Sequence, residues 1–181
     1  MKKFALVLLP LLATGAFAQE ATKGLGLEVG AFFPMDKETK ELFGNTWLTV
    51  GPGSVSQSSI KAGKITSAVS FIQAQKDGNK VVIVPLSLVY KTLLGDENAA
   101  AVPYYSLGAG AYYSDYSVNR GSGSTFRRDS AKVFGSSAFG EVGITFVKRA
   151  RVTARYNTFS TTHGLKFDGW ELVGSIDLFK W

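Results

Sequence analysis

Residues 102–117 read VPYYSLGAGAYYSDYS, and the side-chain type alternates from one residue to the next along this stretch. Tyr105, Leu107, Ala109, Ala111 and Tyr113 form one set of alternate positions, and Tyr104, Ser106, Gly108, Gly110 and Tyr112 form the other. Because successive side chains of a β-strand point to opposite faces, this period of two predicts a strand with one apolar face. Ten-residue blocks of this kind, separated by turn residues, are typical of membrane β-barrels.

Seven further strand-like blocks lie on either side of this stretch. They are Lys23 to Phe33, Thr46 to Gln57, Lys64 to Gln75, Lys80 to Leu93, a block ending at Val147, the block after the turn Lys148–Ala150, and Phe167 to the end of the chain. Most of them alternate in the same way, but Pro52 makes the second block irregular, and Lys80 to Leu93 is apolar on both faces except for Ser87 and Lys91. The sequence therefore predicts an all-β fold, an eight-stranded antiparallel up-and-down transmembrane β-barrel.

Local signals between the blocks predict the connections. Asp36 to Phe43 is expected to form a short helix, and Lys76-Asp77-Gly78-Asn79 is a strong hairpin signal. Pro85 cannot donate to a β-ladder, so we expect a bulge there. Val118 to Ser130 is expected to be a long polar loop.

The beginning of the chain indicates export. Lys2 and Lys3 precede an apolar run from Phe4 to Ala13, and small residues end the segment at Ala18. This arrangement is typical of a cleaved signal peptide, residues 1–18, which leaves residues 19–181 as one barrel domain. The chain has no cysteine, so an exported fold needs another means of stabilisation, and closing a sheet into a barrel is one.

The two strand faces indicate which side meets lipid. A soluble barrel presents its polar face to water, whereas a membrane barrel turns its apolar face outward. The polar face here is rich in glycine and carries few charges, which favours the membrane. Aromatic residues near the strand ends fit two interfacial girdles: Phe33, Trp47, Tyr90, Tyr105, Tyr113, Phe146, Trp170 and Trp181.

The charged residues of the polar face are then expected inside the barrel as a network of Glu28, Glu141, Arg155, Glu171 and Asp177. If the last hairpin is symmetric about His163, Arg155 lies directly opposite Glu171, Tyr156 opposite Trp170, and Ala154 opposite Leu172. A three-residue turn before the seventh strand would set Glu141 across from Asn157 and diagonal to Arg155. We therefore predict that Arg155 plugs the interior between two carboxylates.

Several stretches resemble the small outer-membrane barrel families typified by OmpA. They are Phe33-Pro34, Leu42 to Trp47, Pro103 to Gly110, and Phe139 to Phe159 with Gly140, Val142, Arg151, Arg155 and Tyr156. The resemblance implies an eight-stranded barrel of the outer membrane, inserted by the barrel-assembly machinery. The C-terminus departs from the family pattern, because Phe179 and Trp181 share the alternation of Ser175 and Asp177. A bulge near the terminus would reconcile them.

Little in the sequence indicates catalysis. His163 is the sole histidine and stands beside Ser160, Thr161 and Thr162 without the His-x-Ser spacing expected of lipid A deacylases. One histidine and no cysteine argue against a transition-metal site, and we expect no cofactor. Arg120, Arg127 and Arg128 form a basic cluster that could bind lipopolysaccharide phosphates, but a solvated loop is the better explanation, since charge clusters in loops are usual.

The expected function is that of a non-enzymatic outer-membrane barrel with a structural or surface-interaction role. The protein is expected to be a monomer surrounded by outer-membrane lipids and lipopolysaccharide. The scattered basic residues argue against nucleic-acid binding. Three alternatives stay open: a narrow passive pore, a soluble periplasmic ligand-binding barrel, and a lipid A-modifying enzyme.

Overall fold

The computed structural model of the chain describes residues 24–53, 65–96, 99–120, 127–146 and 150–180. The predicted signal peptide, the predicted end of the second strand, most of the turn at 148–150 and Trp181 lie outside these residues. The side chains of Arg120 and Asp177 lie outside them as well.

The described residues form nine strands and one helix. In chain order these are β1 Gly24–Pro34, α1 Lys37–Phe43, β2 Trp47–Gly53, β3 Ile65–Val69, β4 Phe71–Lys76, β5 Asn79–Leu93, β6 Ala101–Arg120, β7 Arg127–Phe146, β8 Ala150–Phe159 and β9 Gly169–Lys180. No helix within the described residues is long and apolar enough to cross a membrane.

The strands close into a barrel in which every neighbouring pair is antiparallel. β9 pairs with β1 and β2 pairs with β4, so the sheet has no open end. β3 and β4 lie end to end along β5 in a single register, so together they occupy the position of one of the eight barrel strands. The predicted eight-stranded antiparallel barrel is therefore confirmed.

The bulge expected at Pro85 is wrong. Pro85 lies opposite Tyr112 in an unbroken register between β5 and β6. The missing N–H of Pro85 affects the pairing on the other side of β5. The neighbouring strand on that side is interrupted at Ser70, between β3 and β4. Ser70 N donates to Pro85 O at a long 3.4 Å, and the return bond from position 85 cannot form.

The long polar loop expected over Val118 to Ser130 is also wrong. β6 continues to Arg120 and β7 starts at Arg127, and the two pair along their full length of 20 residues each. Alternation persists in this stretch, because Val118 is buried while the flanking Ser117 and Asn119 are half-exposed. The polar composition had concealed the strand period.

Two local predictions are confirmed. The hairpin between β4 and β5 turns at Asp77 and Gly78, which both have positive φ, of 50° and 80°. The short helix forms with Asp36 as its N-cap, whose carboxylate accepts from Thr39 N at 2.9 Å.

The direction of the strands defines the two ends of the barrel. The connections after β1, β4, β6 and β8 lie at one end, which we call the helix end because it carries α1. Both ends of the barrel chain, at Gly24 and Lys180, lie at the other, which we call the termini end. Near the termini end the register between β1 and β9 shifts by one residue between Leu25 and Gly26, the kind of bulge anticipated for the C-terminus.

Burial is inverted relative to a water-soluble barrel. Large apolar side chains on the outer face are exposed, including Leu88 at 65%, Val152 at 58% and Phe134 at 79%. Charged side chains on the inner face are buried, and Glu171 has no accessible surface. The predicted assignment of the two faces of β1, β6, β7 and β8 is therefore correct.

Trp47 is an exception among the expected girdle residues. It points into the barrel, is 1% exposed, and contacts the rings of Phe32, Phe43 and Phe167. Trp47 shares the alternate positions of Thr49 and Gly51, whereas Leu48 lies on the outer face. The alternation therefore favours the inside, and only the position of an aromatic side chain near a strand end indicates a girdle.

Candidate functional site

The interior of the barrel contains a compact cluster of charged side chains centred on Arg155. Its guanidinium contacts three carboxylates from three different strands: Glu141 at 2.8 Å, Glu171 at 3.2 Å and Glu28 at 3.5 Å. All four side chains are at most 10% exposed. The arrangement satisfies the requirement that a buried charge be paired and hydrogen-bonded.

The strand registers explain why these residues meet. Arg155 on β8 lies directly opposite Glu171 on β9, and Tyr156 lies opposite Trp170, as predicted from symmetry about His163. Glu141 also lies directly opposite Arg155, so the predicted pairing of Glu141 with Asn157 is wrong by two residues. Asn157 is instead a neighbour of Glu171 and donates to it at 2.9 Å.

A second arginine extends the cluster towards the termini end. Arg151 lies four residues before Arg155 on the same face of β8, and it donates to Glu28 at 3.2 Å and to Ser175 at 3.3 Å. Ser175 in turn donates to the same carboxylate oxygen of Glu28. Glu28 therefore bridges the two arginines.

Tyr104 and Lys91 complete the cluster at this end. The ammonium group of Lys91 lies 4.2 Å from the centre of the Tyr104 ring, and the guanidinium of Arg151 lies 5.8 Å from it. The Tyr104 hydroxyl shares a hydrogen bond with Thr153, and Ser106 donates to Glu141. Three cations thus face three carboxylates, and the cluster as described is close to neutral.

Sequence reasoning placed Arg151 on the correct face but did not assign Arg151, Lys91 or Tyr104 to the network. The signal was available for Arg151, because it shares the parity of Arg155 four residues later. Lys91 shares the parity of the buried Ser87 on β5. Of the five predicted network residues, Glu28, Glu141, Arg155 and Glu171 come together. For Asp177 the structure gives only its backbone position opposite Gly26.

The helix-end half of the interior is filled by an apolar plug rather than by charges. Its members are Phe32, Phe43, Trp47, Ile72, Val81, Ile83, Tyr112, Tyr116, Val118, Phe159, Leu165 and Phe167. Aromatic rings meet edge to face within it, as between Tyr112 and Phe159 at 5.1 Å. This packing resembles the core of a soluble domain, although it lies inside a barrel.

Helix α1 covers the plug and is fixed to the barrel by hydrogen bonds to two sides. Thr39 Oγ1 donates to Lys166 O at 2.8 Å, and Asn79 Nδ2 donates to Leu42 O at 2.9 Å. Met35 N donates to Asp168 O at 2.8 Å. Phe43 at the C-terminal end of the helix inserts into the plug.

The remaining candidate residues lie at the rim of the helix end. His163 is exposed, has φ of 46°, and its Nδ1 lies 2.8 Å from the Tyr116 hydroxyl. The predicted basic cluster does not form one patch, because Arg127 lies opposite Arg120 whereas Arg128 lies opposite Asn119, on the other face of the hairpin. Arg127 pairs with Asp129 at 2.8 Å, and Arg128 donates to Ser117 at 2.6 Å.

Solved structures share this architecture. Neisserial surface protein A matches with a TM-score of 0.51 and 13% identity over 84% of this chain and 94% of that one. The N-terminal β-barrel domain of Pseudomonas aeruginosa OprF matches with a TM-score of 0.50 and 11% identity over 87% of this chain and 100% of that domain. No protein-family model matches the chain, and no curated protein matches its sequence. The chain has the fold of the small eight-stranded outer-membrane β-barrels.

Proposed function

We propose that the chain is a non-enzymatic integral barrel of the outer membrane with a structural or surface-interaction role, and that its interior is closed to ions. The observation that carries this proposal is the inverted burial. A belt of exposed apolar side chains surrounds a barrel whose ionic groups are inside, which is favourable in lipid and unfavourable in water.

The height of the apolar belt along the barrel axis supports a membrane location. On β6 the outward residues are apolar from Tyr105 to Tyr113, eight steps of about 3.4 Å along the strand. With a strand tilt of about 40°, this length corresponds to a height of roughly 21 Å, close to the roughly 25 Å of known barrels. Tyrosine stands at both ends of the run, as expected for residues at a membrane interface.

The filled interior argues against a passive pore. The apolar plug closes the helix-end half and the cluster around Arg155 closes the other. Eight strands enclose a space that side chains can fill completely. The same filling by the described side chains argues against a soluble ligand-binding barrel. Two shallow hollows lie on the outer surface, one of them lined by Leu107, Val142 and Trp170.

The test is the location of the mature chain after expression in a Gram-negative host. We expect it to fractionate with outer membranes and to need detergent for solubility. A soluble periplasmic protein of similar size serves as the control. Recovery of native barrel in a detergent-free periplasmic extract would contradict the proposal and favour the soluble barrel.

Single-channel conductance distinguishes the proposed closed barrel from the alternative of a passive pore. In planar bilayers the purified chain is expected to show no stable open level, with a known porin as positive control. Frequent, long-lived openings of the wild type would support the passive pore instead.

A further inference from the structure

The outer face of the β6–β7 hairpin changes character abruptly near the helix end. Tyr113 and Phe134 are in ring contact at 5.2 Å, and Phe134 is the most exposed of the large apolar side chains. Beyond this pair the outward positions become polar. Lys132 lies opposite Asp115, Ser130 opposite Ser117, and Arg128 opposite Asn119. The Tyr113–Phe134 pair therefore marks the upper boundary of the apolar belt.

Strand β5 adds a third cation to this face. Lys80 is exposed and lies opposite Ser117, on the other side of β6 from Ser130. Arg128 reaches the same serine, donating to Ser117 Oγ at 2.6 Å. Lys80, Arg128 and Lys132 thus surround Ser117 on three neighbouring strands, and we call these four residues the outer basic patch.

The charge of the outer basic patch is only partly compensated. Asp115 is the carboxylate that the register places beside it, opposite Lys132. The Asp129 carboxylate lies on the other face of the hairpin, where it pairs with Arg127. Three cations against one anion leave an excess of positive charge directly above the apolar belt.

We propose that the outer basic patch binds a phosphate group of an anionic lipid in the surrounding leaflet, an inference that rests on the proposed membrane location. Headgroups lie at the level where the apolar belt ends and aromatic residues stand. An arginine fork and lysine ammonium groups are suited to phosphate oxygens. The side chains face outward into that layer, whereas Arg127 does not.

The test compares two variants that remove equal charge. The patch variant carries Lys80→Gln, Arg128→Gln and Lys132→Gln. The control variant carries Lys37→Gln, Arg127→Gln and Lys166→Gln, which are exposed cations of the helix end outside the patch. Binding of bis-phosphorylated lipid A and of its dephosphorylated form is measured on the folded mature chain in detergent by native mass spectrometry.

We expect the patch variant to bind the phosphorylated lipid at least tenfold more weakly, since each cation at such a surface contributes roughly fivefold. The control variant should stay within twofold of the wild type, and the dephosphorylated lipid should not distinguish the three proteins. Equal weakening in both variants, or no weakening in either, would overturn the inference. Membrane fractionation of the wild type tests the proposed location separately, so a failure of the outer basic patch can be distinguished from a failure of the proposed location.

Discussion

Arg155 lies in a buried position, where the charge of its guanidinium group has to be paired. Three carboxylates from β1, β7 and β9 surround it, and its side chain is 10% exposed. A buried ion pair contributes little net stability compared with an apolar packing, but removing one partner leaves the others uncompensated. The conformation of the cluster therefore depends on this one residue more than on any single carboxylate.

Replacing Arg155 with alanine is predicted to destabilise the barrel. Three carboxylates would lose their shared cation, a cost of about 3–5 kcal/mol if the site stays dry and less if water enters. We expect a lower urea midpoint, whereas the variant should still show no stable open level in planar bilayers, because the apolar plug continues to fill the helix-end half. Arg127→Ala, which removes an exposed arginine, should leave the midpoint unchanged. An unchanged midpoint in Arg155→Ala would show that these ion pairs do not stabilise the folded barrel.

His163 is predicted to have no catalytic role. Its Nδ1 contacts the Tyr116 hydroxyl, and the exposed ring stands on a tight turn rather than in a pocket. Lipid A from cells that express His163→Ala should have the same acyl composition by mass spectrometry as lipid A from cells that express the wild type. A difference in acyl number that depends on His163 would instead support the lipid A-modifying alternative.

At the scale of elements, α1 is the feature that a plain barrel would not need. Seven residues are too few to form a stable helix alone, so tertiary contacts must hold it. The Asp36 cap, the bonds to Lys166 O and from Asn79, and the insertion of Phe43 provide them. The helix thereby completes the apolar plug.

Phe43→Ala is predicted to destabilise the folded barrel by about 3–5 kcal/mol, the usual cost of removing a buried aromatic ring from a packed core. The control is Phe134→Ala, which removes the same side chain from the outer face and should cost about 0.5 kcal/mol. Urea unfolding in detergent, followed by tryptophan fluorescence, measures both. Similar destabilisation by the two variants would contradict the packing described for the plug.

The elements also show which features a sequence can predict. The alternation of side chains correctly predicted which residues of β1, β6, β7 and β8 point into the barrel, because a period of two allows only two assignments. The predicted register between β7 and β8 was wrong by two residues. A shift of two residues preserves the alternation of side chains, so only the length of the turn distinguishes the two registers. Trp47 was misassigned because the position of an aromatic side chain near a strand end indicates a girdle residue, although Trp47 shares the parity of the inward Thr49. The helix-end plug was missed because it combines inward residues from many strands with the loop residues Leu165 and Phe167.

At the scale of the whole molecule, the barrel is divided into two halves with different chemistry. The helix-end half is packed like a soluble core, and the other half is held by ion pairs. The described outward residues around both halves form a mainly apolar belt, which is interrupted by Ser67 and Ser136. Tyr113 and Phe134 bound it on the side of the helix end, and Tyr90 and Tyr105 bound it on the side of the termini end. This distribution is the one that the proposed membrane location requires, since an apolar belt is favourable in lipid and unfavourable in water.

The decisive prediction for the whole molecule follows from the belt and concerns Leu88, an outward residue near its middle that is 65% exposed. In a soluble barrel, Leu88→Arg would place a charge in water at almost no cost. In a bilayer, the same charge at mid-depth costs about 2–4 kcal/mol, and the cost falls towards the interfaces. Ser130→Arg, outward but above the belt and beside the cations of the outer basic patch, is the control and should cost well under about 1 kcal/mol, because charge interactions at a solvated surface are weak. The free energy of unfolding of both variants is measured in lipid vesicles by urea titration. If Leu88→Arg is as stable as Ser130→Arg, the apolar belt does not face lipid, and the membrane proposal fails.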